Sequence, residues 1–218
     1  MCQVFDSIAD QYDRWYDTPE GEAIFRGERD CLLSLCDGPF DGWVDVGVGT
    51  GRFAHALGIP TGVDPSPNML ALAAARGIVS HEAKAEALPF APKSFDGVLM
   101  ALTLCFVADA PQVLCECRRV LRAGGQLLLG FVPADSPWGL SYQEKAAQGH
   151  SMYSQAHFRT ATEVLELAQS CGFSPTDSAS TLFRQPNEQF EPEPRIERGI
   201  VPGAGFAGLL FTLNQLPE

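Results

Sequence analysis

Four glycines in sixteen residues, in the stretch "WVDVGVGTGRFAHALG" (43–58), limit what this chain can fold into. An apolar run reaches Asp45, three glycines then alternate with other residues, and "RFAHAL" has the composition of a helix closed by Gly58. The run carries no alternating polar face, which predicts a strand covered on both sides in a parallel sheet. Glycine after such a strand allows a tight turn, and it also clears Cβ atoms from a place where another molecule must approach the backbone.

The strand–helix alternation continues downstream. "IPTGVDPS" reads as a second strand, and "PNMLALAAARG" as a helix with Pro67 near its first turn, where proline is tolerated. Residues 78–83 make a weak third strand, followed by the turn-like "EALPFAPKSF". "DGVLMALTL" is a fourth strand, "DAPQVLCECRRVLRAGG" a helix with a glycine stop, and "QLLLGFV" a fifth strand. This order predicts an α/β fold: a Rossmann-like doubly wound sheet, mostly parallel, with right-handed crossovers.

Ahead of that core, residues 3–17 place Phe5, Ile8, Tyr12, Trp15 and Tyr16 near helical spacing, and residues 21–37 predict a second helix ended by Gly38-Pro39. Behind it, "PADSPWGLSYQEKAAQGHSMYSQAHFR" has no clean period. "TATEVLELAQSCGF" then predicts a helix with Thr160 as N-cap and Glu163 at capping-box spacing. Strands near "STLFRQ" and "FAGLLFTLN" predict an antiparallel C-terminal hairpin on the sheet edge. No linker divides the chain, so it is expected to be a single domain. Its parts are a helical cap (1–38), a core (40–132), an insertion over the substrate (133–160), and a C-terminal helix with a strand hairpin (161–218).

Composition excludes some partners. A formal charge of −12, with only three lysines, repels phosphate backbones and argues against nucleic acid. The longest nearly uncharged run, 97–108, is too short to span a bilayer. No signal peptide is read at the start, and seven scattered cysteines fit reduced thiols in a cytoplasm. Neither Cys115/Cys117 nor Cys31/Cys36 has the spacing of a zinc site, so no metal is expected.

The glycine spacing discriminates further. A dinucleotide fingerprint, G-x-G-x-x-G, starting at Gly47 requires glycine at 52, where the chain has Arg52. Asp64 closes the second strand, where a carboxylate accepts hydrogen bonds from two ribose hydroxyls and repels a 2′-phosphate. Together these point to an adenosine-type ligand without a pyrophosphate.

"VDVGVGTGRFA", "GVDPSPNML", "AEALPFAPKSFDGVL" and "RVLRAGGQLLLGF" resemble, in order and spacing, the motifs of class I S-adenosylmethionine-dependent methyltransferases. The resemblance is strongest to the type 11 group that contains the ubiquinone/menaquinone C-methyltransferases; it covers about residues 40–132, and "FDSIADQYDRWY" also looks like that group. It implies S-adenosyl-L-methionine as cofactor. Gly47, Gly49 and Gly51, with Thr50 between them, would pass under its methionine part, and Asp45 would lie near its ammonium. Asp64 would hold the ribose. Pro65, Ser66 and Met69 would lie along one edge of the adenosine, with Ala85, Glu86 and Leu88 on the other. Leu102, Thr103 and Phe106 would form the floor beneath the transferring methyl, and Tyr12 would be part of an aromatic cap.

One residue departs from the pattern. The group commonly has an aspartate where this chain has Lys84, and lysine cannot accept a hydrogen bond from an adenine amino group. Glu86 or a backbone carbonyl would have to replace it.

Methyl transfer from a sulfonium is an in-line displacement, so alignment and exclusion of water matter more than an acid–base pair. The expected function is methyl transfer to a small-molecule acceptor. His150, His157 and Tyr153, beside Tyr142 and Trp138, are the candidates for a catalytic group. Two alternatives are a non-catalytic module binding S-adenosylmethionine or its homocysteine product, and an NAD-dependent oxidoreductase. Nothing in the sequence assigns the acceptor atom or an oligomeric state.

Overall fold

The computed structural model describes residues 2–186, 188 and 194–214. Its alternating core begins with β1 (Trp43–Val46) and runs through α3 (Arg52–Leu57), β2 (Thr61–Asp64), α4 (Pro67–Ala75), β3 (Val79–Glu82) and β4 (Phe95–Ala101). It closes with α5 (Ala110–Val120) and β5 (Leu121–Phe131). Two helices precede it, α1 (Cys2–Trp15) and α2 (Pro19–Leu33). After it come α6 (Pro137–Ala147), α7 (Ala161–Ser170), β6 (Phe173–Thr181), β7 (Glu197–Arg198) and β8 (Phe206–Leu213). One eight-stranded sheet results, ordered β3-β2-β1-β4-β5-β8-β6-β7.

The first five strands in that order are parallel, and β8 joins β5 antiparallel, flanked by β6 and then β7. Winding runs outward from β1 to β3 and then returns to β4 on the other side of β1. The topological switch point therefore lies between the ends of β1 and β4, where ligands bind in open sheets of this kind.

Alternate residues of each strand feed two cores, one per face. Val44, Val46, Val98, Met100, Leu127 and Leu129 pack with α5 and α7 on one face. Trp43, Leu99, Ala101, Leu128 and Phe206 pack with α2, α3 and α4 on the other. Each such leucine or valine contributes about 1.5–3 kcal/mol by leaving water. A strand filled on both faces has no polar period, which is why β1 and β4 read as plain apolar runs.

Three elements differ from the sequence expectation. Helix α5 stops at Val120 rather than at the glycines, because its last carbonyls find other donors. The amides of Lys93 and Ser94 bond to Arg119 and Val120 at 2.9 and 2.8 Å, and Leu121 pairs beside Phe95. Strand β6 begins at Phe173, not near Ser180; its exposed polar half and a register shift between Pro175 and Asp177 disguise it. The insertion contains the full helix α6, whose start "SPW" mimics a turn. There Ser136 accepts the Gly139 amide at 2.9 Å, Pro137 fills the first position, and Trp138 is buried with its Nε1 donating to the Arg184 carbonyl at 2.8 Å. The capping box of Thr160 and Glu163 on α7 forms as expected.

Candidate active site

At the switch point a cavity of about 510 Å³ opens beyond the carboxyl ends of β1, β2 and β4. That volume falls within the range that holds a cofactor-sized ligand. Its floor is the chain leaving β4, Ala101 to Thr103, with Phe106 and Val107 beyond. Leu102 is there forced into the left-handed region at φ 58°, its amide held by the Gly130 carbonyl at 2.7 Å. Strained non-glycine backbone of this kind persists only where surroundings over-determine it, commonly at functional sites.

One wall is the turn between β1 and α3. Gly47 and Gly49 line the cavity with φ of 80° and 52°. A Cβ on Gly47 would run into the Thr103 side chain, so this glycine seals turn against floor. A Cβ on Gly49 would meet no protein atom within 4 Å, so its bareness serves the open space rather than the packing. The facing wall is the end of β2. Asp64 receives the Gly49 amide on Oδ2 at 3.0 Å and the Ser66 amide on Oδ1 at 2.9 Å. Both oxygens are thereby oriented, each with lone-pair capacity left for a further donor. Burial pushes the Asp64 carboxyl up, against the pull of those two amides.

Asp45 sits deeper. It is 1% exposed, its Oδ1 has no hydrogen-bond partner among the described residues, and burial, with Asp64 adding to it, pushes its carboxyl up to about 8. No ion pair holds it among the described residues. Arg52 and Arg76 both bond to Asp13 on α1, at 2.8 and 2.7 Å. A pair of buried acids without a counter-cation favours a ligand that carries positive charge.

Helix α1 roofs the cavity. Phe5 and Tyr12 line it, and Phe5 packs edge-on against Phe106 with centroids 4.9 Å apart. Asp6 accepts from Ser66 Oγ at 2.8 Å and from the Asn68 amide at 3.0 Å, which pins the helix to the start of α4.

Of the residues predicted from sequence, Tyr12, Gly47, Gly49, Asp64, Pro65 and Ser66 line the cavity, as do Met69, Ala85, Glu86, Leu102, Thr103 and Phe106. Four do not reach it. Asp45 lies behind the wall, and Gly51 packs against Ala73. Thr50 turns away, its carbonyl accepting from Arg76 at 2.8 Å. Leu88 is buried in the core with its amide on Glu116 at 2.7 Å. The Gly47 and Val48 amides both bond to the Val63 carbonyl, at 2.8 and 2.9 Å, and are not free to donate into the cavity. Phe5 is a wall residue that the sequence reading left unassigned; its place in the aromatic stripe of α1 was the available signal. Lys84 also lines the cavity, and Glu86 is engaged at the Ala108 amide at 2.9 Å, which leaves backbone carbonyls as the freer acceptors there.

His150 and His157 are exposed on the segment after α6, and Tyr153 is half-buried; none of the three lines the cavity. Tyr153 stacks on Tyr142 with centroids 4.4 Å apart, and the His150 ring leans on it at 4.6 Å. Among the described residues no group of three or more His, Cys, Asp or Glu could hold a metal, and no helix is long and apolar enough to cross a membrane.

Comparison with known proteins sharpens this geometry. A methyltransferase-domain family model matches residues 44–129. A crystal structure from Thermotoga maritima, described as an S-adenosylmethionine-dependent methyltransferase and possible histamine N-methyltransferase, superposes with a TM-score of 0.90 at 32% identity, covering 98% of this chain and all of that one. The chain belongs to the class I S-adenosylmethionine-dependent methyltransferases, in the type 11 group. The methyltransferase is also 40% identical over 198 residues to an uncharacterized protein of Mycobacterium tuberculosis, covering 91% of this chain and 70% of that one. It is 31% identical over 154 residues to the ubiquinone/menaquinone biosynthesis C-methyltransferase of Xylella fastidiosa, across 63% of this chain and 61% of that enzyme.

The cavity of the methyltransferase suits the family's cofactor on its own terms. An open cradle at Gly49 and a two-oxygen acceptor at Asp64 match a polar chain and a diol, and the unpartnered Asp45 oxygen lies behind that wall.

Proposed function

We propose that this methyltransferase binds S-adenosylmethionine in the cavity at the switch point and transfers its methyl group to a small-molecule acceptor. The observation that carries the reading is the Gly49–Asp64 bond at 3.0 Å, which couples the bare cradle to the diol acceptor. Asp64 would hold the ribose hydroxyls, with Asp45 behind the wall on the side of the ammonium. Pro65, Ser66, Met69, Ala85 and Glu86 would bound the adenosine, with Leu88 supporting that wall from the core. Gly47, Gly49, Thr50 and Gly51 would shape the path of the amino-acid tail. Once bound, the cofactor supplies an electrophilic methyl on a positively charged sulfur.

The residues of this chain then have three tasks. Leu102, Thr103 and Phe106 fix the floor against which the acceptor must align with the methyl. Phe5 and Tyr12 exclude water from above, and the Tyr12 ring offers a π face to positive charge. Asp64 would fix the ribose, which sets where the sulfur and its methyl stand over that floor. Six described cysteines, all with free thiols, support a reducing cytoplasm as its compartment.

The test is a thermal-shift series with S-adenosylmethionine, S-adenosylhomocysteine and NADH side by side, since a ligand bound only by the folded state raises the midpoint. The first two are expected to raise it and NADH is not. A shift with NADH alone would replace this reading with the oxidoreductase.

A further inference from the structure

A second cavity, of about 230 Å³, opens between α2 and the chain that leaves β6. Strand β6 runs the same way as β5, because both pair antiparallel with β8, so it ends on the edge where β4 meets the first cavity. It lies three strand spacings from β4, about 14 Å, and the two cavities share no lining residue. Three guanidiniums line the second one: Arg26 from α2, Arg184 from beyond β6 and Arg195 from before β7. Glu188 is the one acid among the described lining residues. This gathering runs against a chain with a formal charge of −12 and only fifteen lysines and arginines. Arg26 Nε is out of water with no hydrogen-bond partner among the described residues, a costly state for a donor. The other two groups are held by their faces. Arg184 Cζ lies 5.7 Å from the Trp138 ring centroid, and Arg195 Cζ 4.4 Å from that of Phe183. The donors of a guanidinium lie in its plane, so stacking fixes the group without using its hydrogen-bonding edge. Arg195 also pairs with Glu197. Burial lowers the Arg184 guanidinium from its ordinary value, against the pull of Glu20 and Glu188. The backbone here is strained as well. Leu182 lines the cavity at φ 59°, its carbonyl held by the Gly205 amide at 2.9 Å, much as Leu102 is held at the first cavity.

We propose that this cavity is a second ligand site, and that Arg26, Arg184 and Arg195 hold there a small molecule carrying a phosphate monoester. Three guanidiniums against one carboxylate leave two positive charges among the described lining residues. A phosphate monoester above its second pKa, about 6, is a dianion with three accepting oxygens, which matches that excess. Each guanidinium offers parallel N–H donors spaced for a pair of such oxygens, and three of them surround a tetrahedral group better than a flat one. The volume, about 230 Å³, lies below the range of about 300–1,000 Å³ usual for larger ligands, so a compact ester fits and a nucleotide does not. Asp64 on the wall of the first cavity disfavours the same ion, so the two sites sort their occupants by charge.

The experiment is calorimetric titration of the full chain with glycerol 3-phosphate, glycerol and acetate, at an ionic strength of about 0.15 M. Each titration is run at about pH 7.5 and about pH 5.5, either side of the second ionisation of the phosphate. The ester should bind with a Kd below about 1 mM at the higher pH and about threefold or more weaker at the lower one. Glycerol and acetate should not bind. Arg26→Gln and Arg195→Gln should each lose about tenfold or more in affinity for the ester. Arg195 is exposed, so its variant carries the test if Arg26→Gln does not fold. Glu188→Gln removes the opposing charge and should gain about threefold. Arg122→Gln, which breaks an exposed pair with Asp96 outside the cavity, should bind as the wild type does. No binding up to about 10 mM ester, acetate bound as well as the ester, or an affinity untouched by both arginine changes overturns the site. So does binding that appears only after Glu191→Gln and Glu193→Gln, since the chain's own acids would then be the ligand. No cofactor enters the titration, so its outcome is separate from that of the methyltransferase reading.

Discussion

Arg52 and Asp13 are joined twice, Nε to Oδ1 at 2.8 Å and Nη2 to Oδ2 at 3.0 Å. Position 52 is where a dinucleotide-binding turn would place its third glycine. In this chain the residue instead reaches across to α1, and Arg76 reaches the same carboxylate from the end of α4 at 2.7 Å. The residue that breaks the dinucleotide spacing thus fastens the roof of the cavity. A forked guanidinium on a mostly buried carboxylate is the strong form of ion pair.

Arg52→Ala should loosen α1 selectively. A stability loss of about 2 kcal/mol is expected from charged hydrogen bonds at a half-buried site. Native-state hydrogen exchange should show faster exchange across residues 2–15 with β1, β4 and β5 unchanged. Uniform acceleration over the whole chain would instead mean that the pair supports the global fold and does not act as a fastening.

Gly47 and Gly49 should respond differently to alanine. Gly49→Ala pays for a left-handed backbone, about 1–2 kcal/mol, and projects a methyl into open space. Gly47→Ala adds a collision with Thr103 and should cost about 2–4 kcal/mol. Denaturant melts rank the two. S-adenosylhomocysteine titration should show Gly49→Ala weakened beyond what its stability explains. Equal destabilisation of both variants would contradict the packing described for this turn.

Asp64→Asn keeps the size of the side chain and one acceptor oxygen but loses the charge. Affinity for S-adenosylhomocysteine should fall about thirtyfold, the effect of about 2 kcal/mol for hydrogen bonds to a charged group. Stability without ligand should fall as well, by about 1–3 kcal/mol, since the asparagine NH2 cannot accept one of the two backbone amides that Asp64 holds. Isothermal titration of the two proteins checks the affinity; an unchanged constant would remove Asp64 from the ribose-binding role.

The pH dependence of stability carries the sign of Glu28. Its carboxyl is raised from the ordinary 4.5 to about 8 by burial, so the folded chain holds a proton that the unfolded chain releases. Stability from this group is therefore full below about pH 4.5 and declines as pH rises toward 8. Glutamine has no proton to lose. The Tm advantage of Glu28→Gln over the wild type should be small at pH 5 and grow up to pH 8. Asp13 has the opposite sign: burial works against it, but hydrogen bonds from Arg52 and Arg76 hold it at about 2, so its contribution is lost only in acid. A Glu28→Gln advantage that is flat from pH 5 to 8 would contradict the buried, uncharged state of Glu28.

The sequence by itself determined the strand–turn–helix order, the glycine cradle and the acid at the end of β2. These are local matters. Period, capping residues and glycine spacing act within a dozen residues, so Gly47, Gly49 and Asp64 were legible before any fold was known. Helix α6 and strand β6 were less so, because Ser136-Pro137 and Pro175 carry turn chemistry whose meaning depends on what packs against them. Only the tertiary structure decided that Arg52 turns to Asp13 and that Asp45 stands unanswered behind the wall. The same holds for Glu28, which tertiary packing alone buries with an unpartnered oxygen. Electrostatic meaning at those positions comes from burial and from partners distant in the chain, and neither is a property of the neighbouring residues.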